Sequence, residues 1–280
     1  MALRLLASAL YPATLCKLEL PVSGIFHDLL ATDRILNVFS VSRIIHPVVF
    51  DVFGMAGGFD GLWLDQEHGG MTTPQVQAAS AFARANEMGT IVRMAPTGGY
   101  SLVTQNLEAG ADSVMAARIN SADDAEEFVT WCKFAPRGDR GLNSSGFDAK
   151  YTFKPLPQYV VDANRNNFVA IQIETLGALD EVDQIAAIDG VDMLFLGPAD
   201  MSQALGHVGN PNHDTVWEAI DRISAACRNH GITWGTVPAG PEYAERCVDK
   251  GCRLLTLGNE TLALRRGVEA LQETYRSFFS

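Results

Sequence analysis

The sequence predicts a single-domain α/β protein of the (β/α)8, or TIM barrel, class. Three observations carry this. Apolar strand-like runs alternate with helical patterns about eight times over ~250 residues from residue 35 onward. The chain has 280 residues, 47% of them hydrophobic, enough for one large core. Polar side chains collect at the C-terminal ends of the strand-like runs, the face on which such barrels build their sites. A doubly wound open sheet is the competing arrangement, but no Gly-x-Gly-x-x-Gly follows any candidate strand.

Residues 1–34 read as an N-terminal extension, weakly ordered or docked, ahead of a barrel domain at 35–280. Arg4 followed by Leu5-Leu6-Ala7-Ser8-Ala9-Leu10 faintly resembles a signal peptide, but the apolar stretch is short, and Pro12 and Lys17 interrupt it. Ile35 to Val41 is the first expected strand, and Pro47 to Met55 a short helix. Gly61 to Asp65 is the second strand. Its helix starts near Thr73, an expected N-cap, with Pro74 at the first helical position. Ile91 to Arg93 is the third strand, followed by a helix from Ser101 to Ala109 that Gly110 stops. Ser113 to Ala116 is the fourth strand, and Ser121 caps a helix through Lys133.

Ala135 to Pro157 is too long for an ordinary connection and reads as a lid or an interface arm. The fifth strand, Val169-Ala170-Ile171-Gln172-Ile173-Glu174, and the sixth, from Met193 to Gly197, are apolar runs that each lead into an acid, Glu174 and Asp200. Ile232 to Thr236 and Arg253 to Leu257 complete the eight. The last helix runs from Glu260 to the C-terminus.

Charge and cysteine usage narrow the class. The net charge is −12, from 21 basic and 33 acidic residues, without a lysine/arginine cluster. Nucleic acid is therefore not an expected partner. No run approaches the ~20 apolar residues of a membrane span. Cys16, Cys132, Cys227, Cys247 and Cys252 lack metal-type spacing, and their odd number favours reduced thiols and a cytoplasmic setting. Cys247 and Cys252 read as packing residues.

Four strand ends bring chemistry to one rim. The second ends Asp65-Gln66-Glu67-His68, the third at Arg93, the fifth at Gln172 and Glu174, and the sixth leads through Gly197-Pro198-Ala199 to Asp200. Two hard carboxylates with open positions suit Mg²⁺ or Mn²⁺, with Co²⁺ a further candidate, although each acid could instead pair with an arginine or cap the following helix. His68 is the acid/base candidate, with Asp65 the partner that would fix its tautomer and Glu67 a rival partner. Arg93 is a candidate oxyanion stabiliser, or else an ion-pair partner of Glu174 or Asp200. Amides following Gly197-Pro198 could receive a substrate carboxylate. None of the five lysines ends a strand, which disfavours a Schiff-base route.

Taken in order, Asp65-x-Glu67-His68, Arg93, Gln172-Ile173-Glu174-Thr175, Gly197-Pro198-Ala199-Asp200-Met201-Ser202 and Gly209-Asn210-Pro211 resemble the HpcH/HpaI aldolases, metal-dependent class II pyruvate aldolases. The resemblance runs from about residue 35 to the C-terminus. It implies a lyase that cleaves or forms a 4-hydroxy-2-oxo acid, giving pyruvate and an aldehyde through a metal-stabilised pyruvate enolate. It implies Glu174 and Asp200 as metal ligands, and His68 as base, oriented by Asp65. It also implies Arg93 on the keto oxygen, with Gln172, Gly197, Pro198 and Ala199 lining the pyruvate site. A hexamer built as a trimer of dimers, with the last helix on a neighbour, is implied as well. Leu142-Asn143-Ser144-Ser145-Gly146-Phe147 departs from the relatives, which commonly carry an Arg-Ala pair there. The metal and pyruvate half is therefore expected, and the aldehyde half is open. A related carbon–carbon lyase or decarboxylase, acting on oxaloacetate or an acyl-CoA, and a non-catalytic barrel paralogue are the alternatives.

Overall fold

The computed structural model describes residues 25–95 and 99–279. The signal-like stretch, Cys16 and most of the expected extension lie outside the described residues. Eight parallel strands close into a barrel in chain order. They are β1 (Leu36–Val41), β2 (Gly61–Asp65), β3 (Gly89–Met94), β4 (Ser113–Ala116), β5 (Phe168–Ile173), β6 (Met193–Leu196), β7 (Thr233–Thr236) and β8 (Cys252–Asn259). The (β/α)8 class is as the alternation predicts. β7 starts one residue later than expected, and β8 runs on to Asn259.

Parallel strands covered on both faces read as continuous apolar runs. Accordingly, β2, β3, β4, β5 and β6 are buried at every position. Alternate residues split between two cores, because successive side chains of a strand point to opposite faces. Leu36, Val38, Trp63, Ile91, Met115, Phe168, Phe195 and Leu254 fill the barrel interior. Leu62, Leu64, Val92, Val114, Ile171 and Leu194 face the surrounding helices.

The N-terminal end of the barrel is closed by α1 (Ile25–Leu30), whose Phe26 is buried within the interior core. A Cβ on either Gly61 or Gly89 would come within 2.9 Å of the Phe26 ring. Glycine at the starts of β2 and β3 is what lets this plug seat.

The outer ring begins with α2 (Pro47–Ala56), α3 (Thr73–Ala85), α4 (Gly99–Glu108) and α5 (Ala122–Cys132). It continues with α6 (Leu156–Asn166), α7 (Leu176–Asp180), α8 (Val182–Ala186) and α9 (Pro198–Ala204). It ends with α10 (Asp214–His230), α11 (Pro241–Asp249) and α12 (Glu260–Thr274). Ser121 caps α5 by accepting the amide of Asp124. The cap of α3 is Thr72, one residue before the expected Thr73, because Thr72 and Gln75 form a capping box.

The long segment between α5 and α6 is folded against the barrel wall. The Phe147 amide donates to the Glu108 carbonyl at 2.8 Å, and the Arg84 guanidinium lies 3.7 Å from the Phe147 ring centroid. Asp148 accepts from both Arg140 and Tyr159. Cys132, Cys227, Cys247 and Cys252 are free and buried. Burial pushes the Cys132, Cys227 and Cys247 thiols up to about 12, which leaves them unreactive at neutral pH. Among the described residues no helix is long and apolar enough to cross a membrane.

Candidate active site

The inward-facing set that is apolar deep in the barrel turns polar at its C-terminal mouth. Ser40 of β1, Asp65 of β2, Arg93 of β3, Gln172 of β5 and Thr256 of β8 line a cavity of about 720 Å³ there. Gly197, Pro198, Ala199 and Asp200 form a further part of its wall. Seven of the nine residues predicted for the site are thus brought to one cavity. Glu174 lies directly behind it, joined to Gln172. His68 stands at the rim outside this wall.

Asp65 and Arg93 are register partners on adjacent strands. Arg93 donates Nε to Asp65 Oδ1 at 3.1 Å and Nη2 to Oδ2 at 2.7 Å. Its Nη1 lies 3.2 Å from Glu67 Oε2. The guanidinium carbon sits 4.7 Å from the Trp63 ring centroid, a cation–π contact that seals its lower face. Arg93 is therefore a fixed, buried cation, paired with Asp65 and Glu67 rather than with Glu174 or Asp200.

The expected orientation of His68 by Asp65 is not what the structure holds. Asp65 Oδ1 accepts the backbone amides of Glu67 and His68 at 3.0 and 3.2 Å, and both its oxygens face Arg93. As the last residue of β2, Asp65 points into the barrel, whereas His68 lies beyond the strand on an outward turn. Its imidazole Nε2 is 3.8 Å from Glu67 Oε2, and its side chain is 66% exposed. Glu67, the rival partner, is the carboxylate nearest the ring. It is nearly buried and bridges His68 to Arg93.

Glu174 follows β5 and is 2% exposed. Its Oε1 accepts the Arg118 amide at 2.8 Å, and its Oε2 accepts the Gln172 side-chain amide. Burial pushes its carboxyl up to about 7. The Arg118 amide pulls it back, the charges of Asp200 and Glu67 push it further up, and Arg93 lowers it. Asp200, in the first turn of α9, has Arg118 Nη1 at 4.0 Å. Asp200 and Glu67 thus add to the electrostatic cost of an ionised Glu174, an arrangement that a divalent cation relieves. Among the described residues no group of three or more His, Cys, Asp and Glu is placed to hold a metal ion. The protein would supply two oxygen ligands, leaving the remaining positions to substrate and water, as is common for Mg²⁺. The residues present fit such an ion.

Gly197 is explained by this carboxylate. Its φ of −90° is open to any residue. A Cβ there, however, would lie 2.6 Å from Glu174 Oε2 and 2.8 Å from Gln172 Nε2.

Sequence reasoning missed Arg118, Trp63 and Thr256. Arg118 sits two residues past β4 with φ +58°, a backbone setting unusual for a non-glycine residue, and that turn aims its amide at Glu174. A charged residue just past a strand end is the same signal that singles out Arg93. Trp63 and Thr256 share the inward parity of Asp65 and Leu254, so strand period would have found them.

The family model of HpcH/HpaI aldolase/citrate lyase matches residues 45–266. The 5-keto-4-deoxy-D-glucarate aldolase of Salmonella paratyphi C is 32% identical over 239 residues, 84% of this chain and 90% of the relative. An HpcH/HpaI aldolase from Desulfitobacterium hafniense DCB-2 superposes with a TM-score of 0.80 at 26% identity, over 88% of this chain and 96% of that one. An HpcH/HpaI aldolase/citrate lyase family protein from Burkholderia cenocepacia J2315 gives a TM-score of 0.80 at 30% identity, over 89% and 97%.

Proposed function

The chain belongs to the HpcH/HpaI aldolase/citrate lyase family and is a class II aldolase, a carbon–carbon lyase that works with a divalent metal ion; from this footing we propose that it cleaves a 4-hydroxy-2-oxo acid to pyruvate and an aldehyde. The substrate class follows the relatives named for 5-keto-4-deoxy-D-glucarate, which is a 4-hydroxy-2-oxo acid when counted from its keto end. The observation that carries the reading is buried Glu174 beside Asp200, which lines the same cavity as the fixed cation of Arg93.

Glu174 and Asp200 hold the ion, Mg²⁺ or Mn²⁺ by ligand type. Bound there, it supplies Lewis acidity to the 2-oxo acid. The amides of Ala199 and Asp200, in the first turn of α9, receive the substrate carboxylate, and Gln172 packs beside it. His68, at the rim, takes the C4-hydroxyl proton through a water. The C3–C4 bond then breaks, its electron pair stays with the three-carbon fragment, and an aldehyde leaves. Asp65 takes two of the five Arg93 N–H groups and Glu67 pairs with the third nitrogen, and the N–H groups left over donate to the oxygen on which charge develops. Return of the proton to C3 completes pyruvate.

The protein is a homo-oligomer in this reading, a hexamer by family resemblance. Exposed Leu264, Val268, Leu271 and Phe278 in and after α12 support a packing role for that end. The buried free thiols support a cytoplasmic setting.

Purified protein should release pyruvate from 5-keto-4-deoxy-D-glucarate, lose that activity on chelation and regain it with Mn²⁺ or Mg²⁺. Pyruvate release that persists undiminished in chelator would sink the metal assignment.

A further inference from the structure

Glu67 lies two residues past β2 and brings a carboxylate up to the base from beneath. Its side chain is 11% exposed, against 66% for that of His68. Its Oε2 is buried without a hydrogen bond. Two nitrogens face that one oxygen, Arg93 Nη1 at 3.2 Å and His68 Nε2 at 3.8 Å. Its charge also reaches Glu174, whose carboxyl it pushes up. Glu67 therefore stands between the base at the rim and the cation and metal ligands of the site. A buried carboxylate oxygen with unused capacity is costly until a donor comes to it.

Asp65 has no such capacity. Its Oδ1 accepts the amides of Glu67 and His68 and Arg93 Nε, and its Oδ2 accepts Arg93 Nη2. The backbone of His68 is held on both sides, its amide by Asp65 and its carbonyl by Arg43 at 3.2 Å. Its ring therefore moves by side-chain rotation alone. Closing the gap to Glu67 to hydrogen-bond length takes a shift of roughly 1 Å, the kind of tightening that catalytic hydrogen bonds undergo when substrate binds. A neutral imidazole donates from one nitrogen and accepts at the other. An ionised carboxylate only accepts. A ring turned to Glu67 thus carries its proton on Nε2 and offers Nδ1 as the base.

We infer that Glu67 is the positioning residue of the base: it holds His68 as the Nε2–H tautomer, so that Nδ1 takes the C4-hydroxyl proton, and its negative charge offsets the imidazolium that results. This rests on the aldolase reading and gives Glu67 the role that the sequence pattern gives Asp65. The proton arrives on Nδ1, Nε2 keeps its own, and Glu67 stays ionised throughout. Because the same oxygen faces Arg93 Nη1, one carboxylate adjoins both the group that gains positive charge and the group that meets the developing negative charge.

The test uses the full-length protein saturated with Mg²⁺. With 15N-labelled histidine, the neutral His68 ring, identified as the signals lost in His68→Ala, should show a protonated Nε2 and a bare Nδ1. With 5-keto-4-deoxy-D-glucarate as substrate, Glu67→Gln, which keeps an acceptor oxygen and loses the charge, should lower kcat about tenfold or more. KM for pyruvate in the synthetic direction should stay within about twofold. Glu67→Asp should recover part of kcat. In a His68→Ala background, Glu67→Gln should change kcat by no more than about twofold, since it acts through the missing ring. A neutral ring protonated on Nδ1, or a full loss of kcat from Glu67→Gln in the His68→Ala background, would overturn the assignment and leave the aldolase intact. So would a rise in KM for pyruvate that accompanies the fall in kcat, because it would place the effect on Arg93. An unmodified protein that releases no pyruvate would overturn the aldolase reading and the assignment with it.

Discussion

Asp65 and Arg93 face each other across β2 and β3 in direct register and close two hydrogen bonds, at 3.1 and 2.7 Å. The pairing turns a flexible side chain into a fixed donor array, since the Trp63 ring blocks one face and Glu67 holds the remaining edge. Both partners are nearly buried, so deleting one leaves an uncompensated charge. Asp65→Ala is expected to cost about 3–5 kcal/mol in chemical denaturation. Asp65→Asn should cost less, because the amide oxygen still accepts one N–H. Both should raise KM for pyruvate in the synthetic direction. Unchanged KM in a folded Asp65→Asn protein would show that Arg93 does not depend on this brace.

Most of the barrel was legible in the chain because parallel strands buried on both faces write themselves as uninterrupted apolar runs. Gly61 to Asp65 and Ser113 to Ala116 match the expected bounds at both ends. The rim was legible residue by residue, since a charge at the end of such a run stands out. What a charge would pair with was not legible. Asp65 and His68 are close in sequence, yet the strand parity that turns Asp65 inward ends before His68, and Asp65 meets a residue 28 positions away. The far wall was hidden for the same reason. Ser40 on β1 and Thr256 on β8 are more than 200 residues apart and share a wall only once β8 closes on β1.

Gly197 gives a local test of the carboxylate pair. Its missing Cβ leaves room for Glu174 Oε2 and Gln172 Nε2, which a methyl group would approach to 2.6 and 2.8 Å. Glu174 and Gln172 are buried, so neither can swing into solvent. Gly197→Ala should leave the far-UV circular dichroism unchanged at a cost of about 1–3 kcal/mol. It should also weaken Mn²⁺ binding, read by calorimetry, by about tenfold or more. Undiminished Mn²⁺ affinity would separate Glu174 from the ion.

The raised carboxyl of Glu174 sets the sign of a pH dependence. Its ordinary value is 4.5, and burial lifts it to about 7, so the folded protein holds this proton more tightly than the unfolded chain. In chelator, the contribution of Glu174 to stability is greatest below pH 4.5. It declines as pH rises towards 7 and is level above that, by ~1.4 kcal/mol for each unit crossed. A cation takes the place of the proton, so Mn²⁺ affinity should rise over the same window. Binding below pH 7 should release a proton, measurable by calorimetry in buffers of different ionisation enthalpy. Glu174→Gln should abolish both the stability slope and the proton release. Proton release that survives in Glu174→Gln would assign the titration to another group.

Glu260, the first residue of α12, ties the last helix to the first two loops of the rim. Its buried Oε1 accepts the amides of Ser42 and Arg43 at 2.9 and 2.6 Å. The Arg43 guanidinium in turn donates to the His68 carbonyl at 3.2 Å. A carboxylate that touches no substrate thus sets the backbone from which the base projects. Glu260→Ala leaves two loop amides without their acceptor and should cost about 1–3 kcal/mol. As a positioning residue, Glu260 should affect kcat and leave KM for pyruvate alone, because Glu174, Asp200 and Arg93 are anchored independently of it. Glu260→Gln keeps an acceptor oxygen and should restore most of kcat. A fall in melting temperature with kcat untouched would reduce Glu260 to a structural brace and detach it from His68.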